Sequence, residues 1–179
     1  MEILVVIDMQ KDFIDGALGN AETAAVVDNV VRKIEAYKKA RPEIPVVYTL
    51  DTHFENYMET QEGRNLPVPH CIRGTEGWEL DDRVKKAIGE NGIAVEKNTF
   101  GAVDLAEIIK EKIGVPEKIT LIGVCTDICV ISNAMLLKAA FTEVPIAVDA
   151  ECCAGVTPQS HSNALKALLP CQIIVENNN

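Results

Sequence analysis

Cys129 lies in the run Ile122–Val130, where an apolar strand turns sharply into a helix. A thiol at a helix N-terminus meets backbone N–H groups and the positive end of the helix dipole, and both favour the nucleophilic thiolate. Asp8 closes one apolar run and Lys97 closes another. A carboxylate, an ammonium and a thiol at strand ends are the parts of a covalent hydrolase. Asp8 can take the thiol proton and later return it to a leaving amine, while Lys97 balances the charge. Backbone N–H groups around Cys125 and Cys129 can receive the oxyanion of a tetrahedral intermediate. Singly, each has a plainer reading, Asp8 as a turn cap and Lys97 as a solvated loop lysine. Their joint placement points to chemistry.

A second group follows in Asp51, His53, Glu62 and His70. Asp51 and His53 alternate in extended chain, so both side chains point to one side. Two imidazoles with one or two carboxylates suit Zn²⁺, Fe²⁺ or Mn²⁺, leaving other positions to water or substrate. The spacing alone also fits histidines on a surface loop.

The elements that must carry these residues are readable from periodicity. Short apolar runs without alternation occur at Ile3–Ile7, Pro45–Leu50, Gly92–Val95, Lys118–Val124, Pro145–Val148 and Cys171–Val175. Such runs predict strands buried on both faces. Amphipathic segments lie between them. Glu22–Lys39 turns Val27, Val30, Val31 and Ile34 to one side, and Leu105, Ile108 and Ile109 do the same in a helix that stops at Gly114. Thr126–Ala140 predicts a third helix, and Thr157 with Pro158 opens a fourth. Strands and helices in alternation predict an α/β fold of three layers, a six-stranded, mostly parallel sheet with helices on both faces. Parallel sheets of this kind bind ligands at the carboxyl ends of their strands. Asp8, Asp51, Lys97 and the Val124–Cys129 turn all fall there, so one shared cleft is expected. From Asp51 to Gly77 the chain is polar and aperiodic, the signature of a functional loop. Asn177–Asn179 reads as a frayed end.

The chain has 179 residues, which predicts one domain spanning 1–179. Its net charge of −10 argues against nucleic acid or an anionic membrane as partner. The apolar N-terminal run has no basic leader and is too short for a signal or membrane segment, so a cytoplasmic location is expected. Six cysteines without a C-x-x-C pair argue against a thiolate zinc site and, in a chain with an adequate core, against a disulfide framework.

Taken in order, these blocks resemble the cysteine hydrolases of the isochorismatase-like superfamily, and the nicotinamidase branch in particular. The resemblance rests on Val6–Phe13, Asp51–His53, Pro69–Gly77, Glu96–Phe100, Gly123–Val130, Val148–Ala150 and Gly155–Pro158. It implies a catalytic triad of Asp8, Lys97 and Cys129, and a cis peptide between Val124 and Cys125. It also implies that the Cys125 amide is aimed, with that of Cys129, into the oxyanion hole. A single divalent ion, Zn²⁺ first and Mn²⁺ or Fe²⁺ next, is implied at Asp51, His53 and His70. Glu62 completes that set, ahead of Glu59 and Glu55. Phe13, Leu66 and Val124 are implied as walls of the substrate pocket. The branch hydrolyses nicotinamide, a small amide, and its members often form homo-oligomers.

One departure matters for substrate choice. Many nicotinamidases place an aromatic residue before the segment that ends in His70, where this chain has Leu66-Pro-Val-Pro-His70. A different heteroaromatic or aliphatic amide is therefore the alternative substrate. Three further alternatives fit less well. An isochorismatase-type hydrolase typically lacks the nucleophilic cysteine, and a metal-free amidase of the superfamily lacks the histidine pair. A phospho-receiver domain needs an acidic partner beside Asp8.

Overall fold

The computed structural model describes residues 1–178. Six parallel strands form one sheet: β1 (Glu2–Ile7), β2 (Val47–Asp51), β3 (Ile93–Lys97), β4 (Lys118–Val124), β5 (Ile146–Ala154) and β6 (Ile174–Glu176). Their order across the sheet is β3-β2-β1-β4-β5-β6. The order reverses between β1 and β4, which opens a crevice above their carboxyl ends.

Helices cover both faces, because the central strands are apolar on both sides. Leu4, Val6 and Ile122 pack with Val27, Val30 and Ile34 of α2 (Ala21–Ala40) and Val84 and Ile88 of α4 (Asp82–Ile88). Val31 of α2 is only half-buried beside them. Ile3, Val5 and Leu121 pack on the opposite side. Their partners there come from α5 (Leu105–Lys112), α6 (Ile131–Ala140) and α7 (Pro158–Leu168). Capping is explicit in the sequence. Asn20 and Thr23 satisfy each other's backbone N–H groups at the start of α2, and Thr157 and Ser160 do so at α7, where Pro158 takes the first turn.

Several expectations need correcting. The edge strands β3 and β6 are not buried on both faces. Ala94 and Glu96 of β3 alternate outward, as half-covered strands do. β3 also runs on to Lys97, in register with Asp51. β5 continues six residues past Val148, across a register shift against β4. Asp149 is buried there rather than ending the strand, because Lys33 (2.6 Å) and Asn177 (2.9 Å) neutralise it and bond to it. That contact also ties down Asn177; Asn179 lies outside the described residues. Leu169–Cys171, with Pro170 in it, is a 3₁₀ turn, so β6 starts later than the apolar pattern suggests.

The segment from Asp51 to Gly77 contains 3₁₀ turns at Tyr57–Glu59 and Glu76–Trp78 and a short helix, α3 (Gln61–Asn65). Another short helix, α1 (Lys11–Ile14), follows β1. Each is too brief to impose a period on the sequence. No helix among the described residues is long and apolar enough to cross a membrane.

Candidate active site

The crevice exists because β1 and β4 come very close and then part. Ile7 pairs with Gly123 across the ladder. Gly123 has φ +116°, and a Cβ there would collide with the Ile7 carbonyl oxygen. One residue on, Asp8 adopts φ +46°, a conformation uncommon outside glycine, and the Val124–Cys125 peptide is cis.

Asp8, Lys97 and Cys129, from three different strand ends, meet in this crevice. All three are buried. Lys97 Nζ lies 2.7 Å from Asp8 Oδ2 and 3.6 Å from Cys129 Sγ. It also donates to Asp51 Oδ1 at 3.0 Å and to the Thr99 carbonyl at 3.1 Å. Asp8 Oδ1 accepts from the Thr49 hydroxyl at 2.6 Å, and that hydroxyl accepts from the Asp8 N–H at 3.2 Å. Asp8 Oδ2 has the ion-pair contact but no aligned hydrogen bond, alone among buried side-chain polar atoms of the described residues. A carboxylate oxygen beside a thiol can accept its proton.

The electrostatics refine the expectation drawn from the helix terminus. Burial, then the Asp8 charge, push the Cys129 thiol well above its ordinary pKa, with Lys97 opposing them. Burial also raises the Asp8 carboxyl; Lys97 opposes that shift and Asp51 adds to it. Lys97 stays charged, because Asp8, Cys129 and Asp51 outweigh its burial. Burial thus disfavours the charged form of both Asp8 and Cys129, and Lys97 favours it in both. Desolvation acts against the thiolate preference of the helix end.

The second group is assembled from β2 and the segment after it. Asp51, His53, Glu62 and His70 each offer one ligand atom, all within 4.8 Å of one another. His53 Nε2 lies 3.0 Å from Asp51 Oδ2 and 3.6 Å from Glu62 Oε1. His70 Nε2 lies 3.5 and 3.7 Å from the same two oxygens. Chain pairing explains the convergence. Beyond β2, Thr52 N–H bonds the Lys97 carbonyl, while His53 bonds both the Cys71 carbonyl and the Arg73 N–H. That pairing places His70 beside His53. Thr60 caps α3 by accepting from Gly63 N–H. A Cβ on Gly63 would collide with the Tyr57 carbonyl, so glycine lets α3 bring Glu62 in. The His70 Nδ1 lies 2.8 Å from the Val68 carbonyl. Donation there directs Nε2 to the cluster as an acceptor, the usual support of a metal-bound imidazole.

This donor set fits a divalent ion: two imidazoles and two carboxylates, mostly buried, with the aromatic wall of Tyr57 against both rings. The two imidazoles hold Asp51 well below the usual carboxylate range against the effect of burial. Asp51 joins the two groups, with Oδ1 on Lys97 and Oδ2 toward the histidines.

A family model, the isochorismatase domain, matches residues 2–178. The chain belongs to the isochorismatase family. An uncharacterized isochorismatase family protein, PncA of Bacillus subtilis, is 32% identical over 143 residues, covering 74% of this chain and 75% of that protein. Among solved structures, the nicotinamidase/pyrazinamidase PncA from Bacillus subtilis superposes with a TM-score of 0.82 at 28% identity, covering 98% of this chain and 99% of that one. A pyrazinamidase of Pyrococcus horikoshii, solved in complex with zinc, gives 0.81 at 27% identity, with 97% of each chain covered.

In this isochorismatase-family chain a cavity of about 440 Å³ opens beside the metal-type cluster. His53, Glu62, Leu66, Thr99, Phe100 and Ile128 are among its lining. Of the three expected wall residues, Leu66 lines it and Phe13 and Val124 do not. Phe13 packs edge-on against His70, with ring centroids 5.6 Å apart, and Val124 is in the core. Two supporting residues escaped the sequence reading. Gln10, fully buried, accepts from Asp51 N–H at 2.7 Å and donates to the Asp51 carbonyl at 2.8 Å, clamping that residue's backbone. Thr49 orients Asp8 as described above. Thr49 is a polar residue inside an apolar run and Gln10 lies past the end of one, and neither position signals its partner.

Proposed function

We propose that this isochorismatase-family protein is a cysteine amidohydrolase that depends on a divalent metal, Zn²⁺ first, and converts nicotinamide and water to nicotinate and ammonia. The observation that carries this reading is the buried contact of Lys97 with Asp8, Asp51 and the Cys129 sulfur. It links a nucleophile, its base and a metal-type ligand set.

In the proposed reaction Asp8 Oδ2 takes the Cys129 proton as sulfur attacks the amide carbonyl. Lys97 stays charged throughout and offsets the negative charge that moves between sulfur and carboxylate. The Cys125 and Cys129 N–H groups, at the start of the turn leading into α6, receive the oxyanion. Asp8 returns the proton to the departing ammonia, leaving a thioester on Cys129. Water, with Asp8 again as base, then releases the acid. A divalent ion held by Asp51, His53, Glu62 and His70 would supply an electrophilic position for the ring nitrogen, lowering the entropic cost of placing the carboxamide over sulfur.

A second reading, a different small amide, is favoured by Leu66 standing in the cavity where the branch often has an aromatic ring. We further propose that residues 1–179 form one domain, and that the protein works as a homo-oligomer. A reducing cytoplasm suits its six unpaired cysteines.

The test is ammonia release from nicotinamide by protein loaded with Zn²⁺, Mn²⁺ or Fe²⁺. Release by the wild type that vanishes in Cys129→Ala is the expected result. No release with any of the three metals overturns nicotinamide as the substrate, and release from another amide would establish the second reading.

A further inference from the structure

Cys129 sits in a π-helical turn, Thr126–Val130, that continues into α6. Val130 N–H reaches the Cys125 carbonyl and Ile131 N–H the Thr126 carbonyl, one residue farther back than in an α-helix. Such turns are uncommon and need support from their surroundings. Two side chains of α6 supply it. Ser132 Oγ donates to the Ile128 carbonyl at 2.6 Å, and Asn133 Nδ2 donates to the Cys129 carbonyl at 2.8 Å.

Ser132 bonds only within its own helix, but Asn133 reaches further. Its Nδ2 also donates to the Phe100 carbonyl at 3.1 Å, and its Oδ1 accepts from the Ala102 N–H at 2.9 Å. The side chain is fully buried. Asparagine is a weak helix former, and a buried amide is costly unless bonded. Here three bonds of the amide's capacity are met, two of them in another segment. That segment follows β3. Its Thr99 carbonyl holds Lys97, and Phe100 lines the cavity mouth. One amide therefore ties the backbone of the proposed nucleophile to the backbone of a segment that lines the cavity.

We propose that Asn133 is a positioning residue that fixes the spacing between Cys129 and the Phe100 wall, and thereby selects flat aromatic amides over small aliphatic ones. This rests on Cys129 being the nucleophile, and deepens that reading. Asn133 touches no reacting atom. It acts by holding two segments in register, so its loss alters which molecules reach sulfur correctly more than the reactivity of the sulfur itself.

The experiment compares alkylation of Cys129 by iodoacetamide and by its N-phenyl analogue, with peptide mass analysis separating Cys129 from the exposed Cys171. Asn133→Asp keeps the shape and the bond from Ala102 but cannot donate to either carbonyl. Asn133→Ser keeps a hydroxyl able to bond the Cys129 carbonyl but cannot reach the 100–102 segment, which isolates the tie between segments. Phe100→Ala serves as the reference for loss of the wall, at a half-exposed position that threatens folding little. The expected result is a fall of about fivefold or more in the phenyl-to-small rate ratio for all three variants, the effect of losing about one hydrogen bond's worth of positioning. The iodoacetamide rate itself should change much less. An unchanged ratio in either folded Asn133 variant overturns the proposal. So does an equal fall with both reagents, which is what a purely structural role produces. Ammonia release from nicotinamide that survives Cys129→Ala would instead overturn Cys129 as the nucleophile, and this proposal with it.

Discussion

The two halves of the site are built differently. Asp8, Lys97 and the Cys129 turn stand at the ends of three strands of one sheet, so the ladder sets their mutual distances. His53, Glu62 and His70 come from the segment between β2 and α4 and meet through a short pairing, one capped turn and one glycine. Asp51 belongs to both halves, with one oxygen on each. The half proposed to do the chemistry is thus held by the core, and the half proposed to bind the metal by local loop contacts. Damage to the second should be repairable by ligand, because mass action can offset a weakened site, whereas damage to the first should not.

Four substitutions break or sharpen that contrast. Cys129→Ala should lower turnover on the order of 10⁴-fold or more, while zinc titration by calorimetry finds the binding half unchanged. Asp51→Ala should damage both halves. Metal affinity should fall by about 100-fold or more, the upper end of what losing a ligand's supporting partner costs, and kcat should stay depressed at saturating metal because Lys97 loses its Oδ1 partner. Full recovery with excess metal would show that the two halves are independent. His70→Ala, which removes a proposed ligand, should cost at least the ~10–100-fold in metal affinity typical of losing a ligand's supporting partner, be rescued by excess zinc, and leave Cys129 labelling by iodoacetamide as in the wild type. Thr157→Ala, at the cap of α7 outside both halves, should lose about 1 kcal/mol of stability in urea unfolding and leave kcat and metal affinity untouched.

The contrast also governs what could be read in the chain. The central strands announce themselves because Ile3–Ile7 and Lys118–Val124 are apolar on both faces, and Asp8 and Lys97 stand out by closing such runs. Asp51, His53 and His70 are visible as residue types that suit a metal, but the pairing of His53 with the 71–73 segment is a contact distant in sequence, and no local pattern encodes it. Thr49 looks like an imperfection in a strand, and Gln10 like an ordinary residue after one, until their partners are seen. Asp149 looks like a strand end for the same reason: the lysine that neutralises it lies in α2. Phe13 is visible as an aromatic residue near Asp8, but its contact with the His70 ring is distant in sequence and no local pattern encodes it.

Gly123 has a bearing on how this protein can change over generations. Every single-base change of a glycine codon that yields another amino acid introduces a Cβ, and at this position a Cβ strikes the backbone of the neighbouring strand. The floor of the crevice is consequently closed to gradual variation. Its rim is not, since Leu66 and Phe100 are partly exposed and carry no comparable backbone constraint. New substrate preferences in a lineage descending from this chain should accumulate around the opening, while the chemistry beneath is inherited intact.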